Sequence, residues 1–96
     1  MSRRRRIEFD AGDGGFGAAL GELLAYQRAV RAGDWLAASV HAARAERLLR
    51  EVADEAIAAA SGQASRRAVA DAIGVAHGTV NRRVRRYCRR QAESTP

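Results

Sequence analysis

The fold is decided by residues 63–87, which read QASRRAVADAIGVAHGTVNRRVRRY. Ser65 can cap a short helix, because its hydroxyl accepts a backbone N–H of the first turn. Gly74 allows a sharp turn, since glycine adopts the left-handed conformation without a steric penalty. The stretch therefore predicts a helix over residues 66–73, a turn, and a second helix from about residue 76 or 77 to residue 90.

Two helices joined by about three residues, with glycine at the start of the turn, form the helix-turn-helix unit. The core of such a unit needs apolar side chains on the facing sides of both helices. We expect the inward positions to be Val69, Ala70, Ile73, Val75, Val80 and Val84. Ala70 has to be small because the two helices meet there. The C-terminal part of the preceding helix is expected to complete this core.

The stretch resembles the helix-turn-helix of Cro-type phage repressors, and also that of resolvases and other bacterial regulators. The resemblance rests on Ala70 four residues before Gly74, on Val80 and Val84 of the second helix, and on Asn81 directly after Val80. It covers roughly 20 to 25 residues of the chain. It implies a DNA-binding module whose second helix lies in the major groove.

The basic residues are concentrated at the two ends of the chain. All 17 are arginine, and they exceed the 11 acidic residues to give a net charge of +6. Residues 1–6 carry +4 and residues 65–96 carry +6, whereas residues 7–34 carry −3 and residues 35–64 carry −1. This separation indicates a polyanionic partner for the ends. Nucleic acid is favoured over a membrane, because no apolar face accompanies the basic C-terminal segment.

On DNA, the exposed side chains near the start of the second helix would face the major groove, where arginine reads guanine and asparagine reads adenine. These base-reading candidates are His77, Thr79, Asn81, Arg82 and Arg85. The candidates for phosphate contacts are Arg66, Arg67, Arg83, Arg86, Arg89 and Arg90. At the N-terminus, Arg3, Arg4, Arg5 and Arg6 form a basic arm, interpreted either as a minor-groove contact or as a solvated tail.

Two longer helices are predicted before this unit, over residues 15–32 and 35–60. Gly33 is suited to end the first, and Asp34 to cap the second. The turn between them is very short, so the two helices have to form an antiparallel hairpin. The apolar residues of the first helix, which fall at helical spacing, are Phe16, Leu20, Leu23, Leu24 and Val30.

The second helix also predicts self-association. From Trp35 to Ala59, apolar residues alternate steps of three and four, the spacing of a coiled-coil seam. The core is thin, because leucine, isoleucine, valine and phenylalanine together number only 18, against 22 alanines. We therefore expect a homodimer, with interface candidates Trp35, Leu36, Val40, Leu48, Leu49 and Val52. The acidic residues Glu51, Asp54 and Glu55 are interpreted as a solvated face.

The composition argues against several other classes of protein. Cys88 is the single cysteine, so no internal disulfide is possible, and with His41 and His77 it gives no zinc-ligand spacing. We expect Cys88 to be a small buried residue, with a redox-sensing thiol as the alternative. The chain offers no catalytic constellation, no sign of a cofactor, metal or small-molecule ligand, and no membrane span. A non-enzymatic protein of the cytoplasm, at the nucleoid, is predicted.

The sequence thus predicts an all-α chain with an N-terminal antiparallel helical hairpin followed by a C-terminal helix-turn-helix. Residues 1–15 are a flexible basic arm and glycine-rich linker, 16–62 the hairpin, 63–92 the DNA-binding unit and 93–96 a disordered tail. The predicted function is sequence-specific binding of double-stranded DNA by a small bacterial, phage or plasmid transcriptional regulator, as a homodimer on an inverted repeat. The alternatives are an antitoxin or adaptor whose hairpin binds another protein, and a nucleoid protein without sequence preference.

Overall fold

In the computed structural model of the chain, residues 14–94 are described, and they form four α-helices with no strand among them. The helices are α1 (Gly14–Arg31), α2 (Trp35–Ser61), α3 (Arg66–Ile73) and α4 (His77–Ser94). The all-α prediction is confirmed. The basic arm at Arg3–Arg6 and the last two residues of the tail lie outside the described residues.

The helix boundaries follow the local sequence closely, and α4 is the exception. α1, α2 and α3 begin and end within one residue of the predicted positions. α4 instead continues past Arg90 to Ser94, so the predicted tail is helical at Glu93 and Ser94. No glycine or proline stands between Arg90 and Ser94 to stop the helix.

The chain divides into two compact units, Met1–Glu46 and Arg47–Pro96, and the boundary falls inside α2. The first unit contains α1 and the start of α2. The second contains the rest of α2 together with α3 and α4. The boundary falls inside α2 because the C-terminal part of α2 contributes to the core of the second unit, as expected for the helix that completes it.

In the first unit, α1 and the start of α2 form an antiparallel hairpin. Gly33 takes the left-handed conformation with φ +73°, and the Asp34 carboxylate accepts the Ala37 N–H at 3.0 Å, which caps α2. Across the hairpin, His41 Nδ1 lies 2.7 Å from Glu22 Oε1. The buried apolar residues of the hairpin are all alanines: Ala19, Ala29, Ala38 and Ala45. The helices therefore approach through small side chains, and the larger apolar ones are exposed, apart from the half-buried Val30.

The core of the second unit joins three helices. It consists of Ile57 from α2, Val69 and Ala70 from α3, and Val80 and Val84 from α4. Tyr87, one turn further along α4, is also buried. Four of the six predicted inward positions are thus confirmed as buried, and a fifth, Val75, packs half-buried against the cluster. The sixth, Ile73, is 45% exposed, because α3 ends there and the chain reverses direction.

α3 has the serine cap and the left-handed glycine turn that the sequence predicts. Ser65 Oγ accepts the Ala68 N–H at 3.0 Å and caps α3. Gly74 has φ +77°, and its N–H donates to the Ala70 carbonyl at 2.9 Å. This is the left-handed C-cap that only glycine adopts readily. It lets α4 begin three residues later and pack back on α3.

Candidate nucleic-acid interface

The first two turns of α4 present the side chains that the sequence predicts for base reading. His77, Arg82 and Arg85 are exposed, whereas Thr79 and Asn81 are half-buried. The core residues Val80 and Val84 lie on the same helix and fix its rotation, so these polar side chains lie on its outer and lateral sides. The structure therefore brings all five candidates together on one short helical segment.

Two hydrogen bonds hold part of this surface in place. Arg66, at the start of α3, donates from Nη1 to Asn81 Oδ1 at 2.9 Å. Arg82 donates from Nη2 to Thr79 Oγ1 at 3.1 Å, one turn apart on α4. With its carbonyl oxygen accepting from Arg66, Asn81 turns its amide N–H groups away from Arg66. The polar groups of the two helices therefore form one arranged surface.

The arginines of α4 fall into two rows. Arg82, Arg85 and Arg89 recur at steps of three and four and are exposed; we call them the outer row. Together with Arg66, Val84 and Cys88, Arg85 and Arg89 line a shallow groove of about 380 Å³. The floor of this groove is apolar and its rim carries guanidinium groups. Such a surface suits the phosphates and sugars of a nucleic-acid backbone.

The second row has a partner inside the protein. Arg83, Arg86 and Arg90 surround Asp54 of α2, whose side chain is fully buried; we call these four residues the Asp54 cluster. Arg83 Nε donates to Oδ1 at 2.7 Å. Arg86 binds both oxygens, Nε to Oδ2 at 2.7 Å and Nη2 to Oδ1 at 3.0 Å. Arg90 Nη1 donates to Oδ2 at 3.2 Å. One carboxylate thus accepts four charged hydrogen bonds.

The electrostatics of the cluster favour the ionised carboxylate. Burial by itself would raise the pKa of Asp54. The hydrogen bonds from Arg86 and Arg83, the positive charge of Arg86 and the hydrogen bond from Arg90 together outweigh burial, and lower the pKa from 3.8 to about 2. The hydrogen bond to Asp54 likewise raises the pKa of Arg86. The cluster is therefore fully ionised at neutral pH and fastens α4 to α2.

The Asp54 cluster corrects one interpretation of the sequence and gives three predicted phosphate contacts a partner inside the protein. Asp54 is not part of a solvated acidic face: it is 0% exposed, whereas Glu51 and Glu55 beside it are half-buried. Arg83, Arg86 and Arg90 were assigned to phosphates, yet all three bind this carboxylate. A signal was present in the sequence, since Asp54 stands three residues before the core residue Ile57 and therefore shares its face of α2.

The other predicted site residues differ in how exposed they are to solvent. Arg67 is exposed beside Arg66, as a phosphate contact requires. Cys88 is exposed instead of buried, because Tyr87 takes the inward position of that turn. Among the dimer candidates, Trp35 (64%), Leu36 (78%), Val40 (39%) and Leu49 (42%) are exposed, and Leu48 and Val52 are half-buried.

The part of the chain that the structure describes contains neither a metal-ligand cluster nor a membrane-spanning helix. Within residues 14–94, no group of three or more histidine, cysteine or acidic side chains is placed to hold a metal ion. None of the four helices is long and apolar enough to cross a membrane. No known protein family, curated protein or solved structure matches the chain.

Proposed function

We propose that the chain binds double-stranded DNA through α3 and α4, which act as a helix-turn-helix with α4 in the major groove. The observation that carries the proposal is the combination of the Gly74 turn with the outer row of α4. The turn and the three-helix core fix α4, and its outward side carries Arg82, Arg85 and Arg89. A rigid helix with hydrogen-bonding side chains on its first turns is the element that reads base edges.

Charge on the exposed surface supports a polyanionic ligand. Arg66 and Arg67 of α3 are exposed, and Arg66 lines the same groove as Arg85 and Arg89 of the outer row. The exposed acidic residues of α3 and α4 are Asp71 and Glu93, so the exposed arginines of the two helices outnumber them. The negative charge of Asp54 is enclosed by its three arginines, so it does not face this surface. Arginine suits such an interface, because its planar fork binds phosphate and guanine with two parallel hydrogen bonds.

The polar residues of α3 and α4 have three different roles in this function. Base reading falls to His77, Thr79, Asn81, Arg82 and Arg85. Arg66, Arg67 and Arg89 contact phosphates and set the register on the duplex. Arg83, Arg86 and Arg90 hold α4 in position through Asp54.

The biological role that follows is that of a small bacterial, phage or plasmid transcriptional regulator, acting at the nucleoid on an inverted repeat. The asparagine and threonine among the arginines favour a protein with sequence preference, because arginine alone would serve for phosphates. A nucleoid protein without sequence preference is the rival on the DNA side. An antitoxin or adaptor that binds only another protein is the rival without DNA.

The experiment selects binding sites from random duplexes with the purified full chain, and then measures affinity for the selected site and for a scrambled one. Asn81→Ala and Arg82→Ala are expected to lose about 1–3 kcal/mol on the selected site, and much less on the scrambled one. Arg44→Ala is the matched control, since Arg44 is an exposed arginine of α2 outside the proposed interface. Affinity that is equal on both duplexes would indicate the nucleoid class, and no affinity for either would refute DNA binding.

A further inference from the structure

The hairpin of the first unit has its large apolar side chains on the outside. Phe16, Leu20, Leu23 and Leu24 are 47%, 48%, 41% and 49% exposed. They recur at steps of four, three and one, so they lie along one side of α1; we call them the α1 apolar stripe. The sequence places these residues at the spacing of a packed face. In the structure, alanines occupy the packed face and the stripe beside them remains uncovered.

The size of the uncovered surface suits a protein partner. The exposed large apolar residues of the hairpin are Phe16, Leu20, Leu23, Leu24, Tyr26, Trp35, Leu36 and Val40. Together they leave on the order of 700 Å² open to solvent, and the four residues of the α1 apolar stripe supply about half of it. Two stripes that pair would bury on the order of 700 Å² in total, which is the size of a weak, reversible interface. The buried alanines give the hairpin little apolar contact area of its own, because each has a single methyl group to pack.

The stripe carries no charge of its own. Glu22 is the ionisable residue in the stretch from Phe16 to Gln27, other than the phenol of Tyr26, and its carboxylate lies 2.7 Å from His41 Nδ1 within the hairpin. A nucleic acid or an acidic peptide would find no cation between Phe16 and Gln27, since the arginines of α1, Arg28 and Arg31, stand in its last turn. The partner of the stripe therefore has to be apolar as well.

The charges of the two units favour a second copy that meets the first through the hairpin. The described part of the hairpin has three acidic residues (Glu22, Asp34, Glu46) and three arginines (Arg28, Arg31, Arg44), so its formal charge is zero. Residues 47–94 carry ten arginines against five acidic residues. Two copies that met through this second unit would bring like charges together, whereas two hairpins meet without net repulsion.

We propose that the α1 apolar stripe is the interface with a second copy of this chain, and that two hairpins pair through it about a two-fold axis. Leu20 stands four residues from both Phe16 and Leu24, so an antiparallel pairing of two stripes centres on Leu20 and sets Phe16 of each copy near Leu24 of the other. The stripe is self-complementary in this arrangement. The inference is independent of DNA binding, since it uses no residue of α3 or α4.

The test measures the molar mass of the full chain by light scattering and sedimentation over a range of concentrations. A dimer is expected for the wild-type protein at tens of micromolar, and Leu20→Glu is expected to give a monomer, because it would bury a charge at the centre of the interface. Ile73→Glu is the matched control, since Ile73 is 45% exposed on α3, nearly the same as Leu20, and its variant should remain dimeric.

Circular dichroism of each variant separates loss of the dimer from loss of the fold. If Leu20→Glu is unfolded, Leu20→Ser serves in its place and should weaken the dimer about tenfold or more, with Ile73→Ser unchanged. A wild-type chain that is monomeric at tens of micromolar overturns the proposal, as does a Leu20 variant that is folded and as dimeric as the wild type. A pure monomer that forms a stable complex only with a different protein overturns it in favour of a heteromer.

Discussion

Asp54→Asn is expected to destabilise the second unit by about 2–4 kcal/mol. The wild-type carboxylate accepts four hydrogen bonds from Arg83, Arg86 and Arg90 and is fully buried. Breaking a buried ion pair costs about 3–5 kcal/mol when the remaining charge stays buried. Here the arginine side chains are 24–42% exposed, so they can turn partly towards water and the cost is smaller. Asparagine keeps the shape of the side chain, which isolates the charge.

The pKa of Asp54 gives a second value for the same contribution. A carboxyl whose pKa falls from 3.8 to about 2 on folding stabilises the folded state by about 2 kcal/mol at neutral pH. Because the folded pKa is the lower one, this stability is fully present above about pH 5 and is lost as the pH falls through 4 towards 2. The Asn variant lacks this part of the acid dependence.

The assay is urea unfolding followed by circular dichroism at 222 nm, at neutral pH and at steps down to about pH 2. Glu51→Gln is the control, a neighbouring acidic residue of α2 that is only half-buried, and it should change the free energy of unfolding by less than about 0.5 kcal/mol. The reasoning is refuted if Asp54→Asn behaves like Glu51→Gln at neutral pH, or if it loses stability in acid as steeply as the wild type.

Three further outcomes are expected. Arg89→Ala should lower the slope of log DNA affinity against log salt by about 1 without changing the melting temperature, whereas Arg86→Ala should lose about 1–3 kcal/mol of stability; the opposite pattern would exchange their roles. Deletion of residues 2–6 should flatten the same slope by up to about 3–4 units, and an unchanged slope would make the arm a solvated tail. Gly74→Ala should cost about 1–2 kcal/mol because of its φ of +77°, whereas Gly21→Ala, inside α1 with open space around it, should stabilise by up to about 1 kcal/mol in thermal unfolding.

The elements that depend on local chemistry could be predicted from the sequence. Asp34 and Ser65 cap the two helices that they were expected to cap, and Gly33 and Gly74 have the left-handed conformation at the two turns. Caps and turns of this kind involve residues three to five positions apart, so the sequence contains the whole interaction.

The features that depend on distant residues were missed. The burial of Asp54 requires arginines from 29 to 36 positions further along the chain, and the acidic residues around it suggested a solvated face. The exposure of the α1 apolar stripe could not be predicted for a related reason. Leucine spacing shows that a face is apolar, but whether the leucine side or the alanine side of α1 meets α2 depends on how closely the two backbones approach. The hydrogen bond between His41 and Glu22 across the hairpin joins residues 19 positions apart, so no local pattern in the sequence indicates it.

The two arginine rows of α4 differ in how well they would tolerate substitution by lysine during evolution. At Arg89, the phosphate contact of the outer row, a lysine would still present a positive charge, so this exchange is nearly silent. At Arg86 the same exchange replaces a planar fork that grips both oxygens of Asp54 with a single point of attachment. Homologous chains should therefore vary between lysine and arginine at the position of Arg89, while they keep arginine at the position of Arg86 and an acidic residue at that of Asp54.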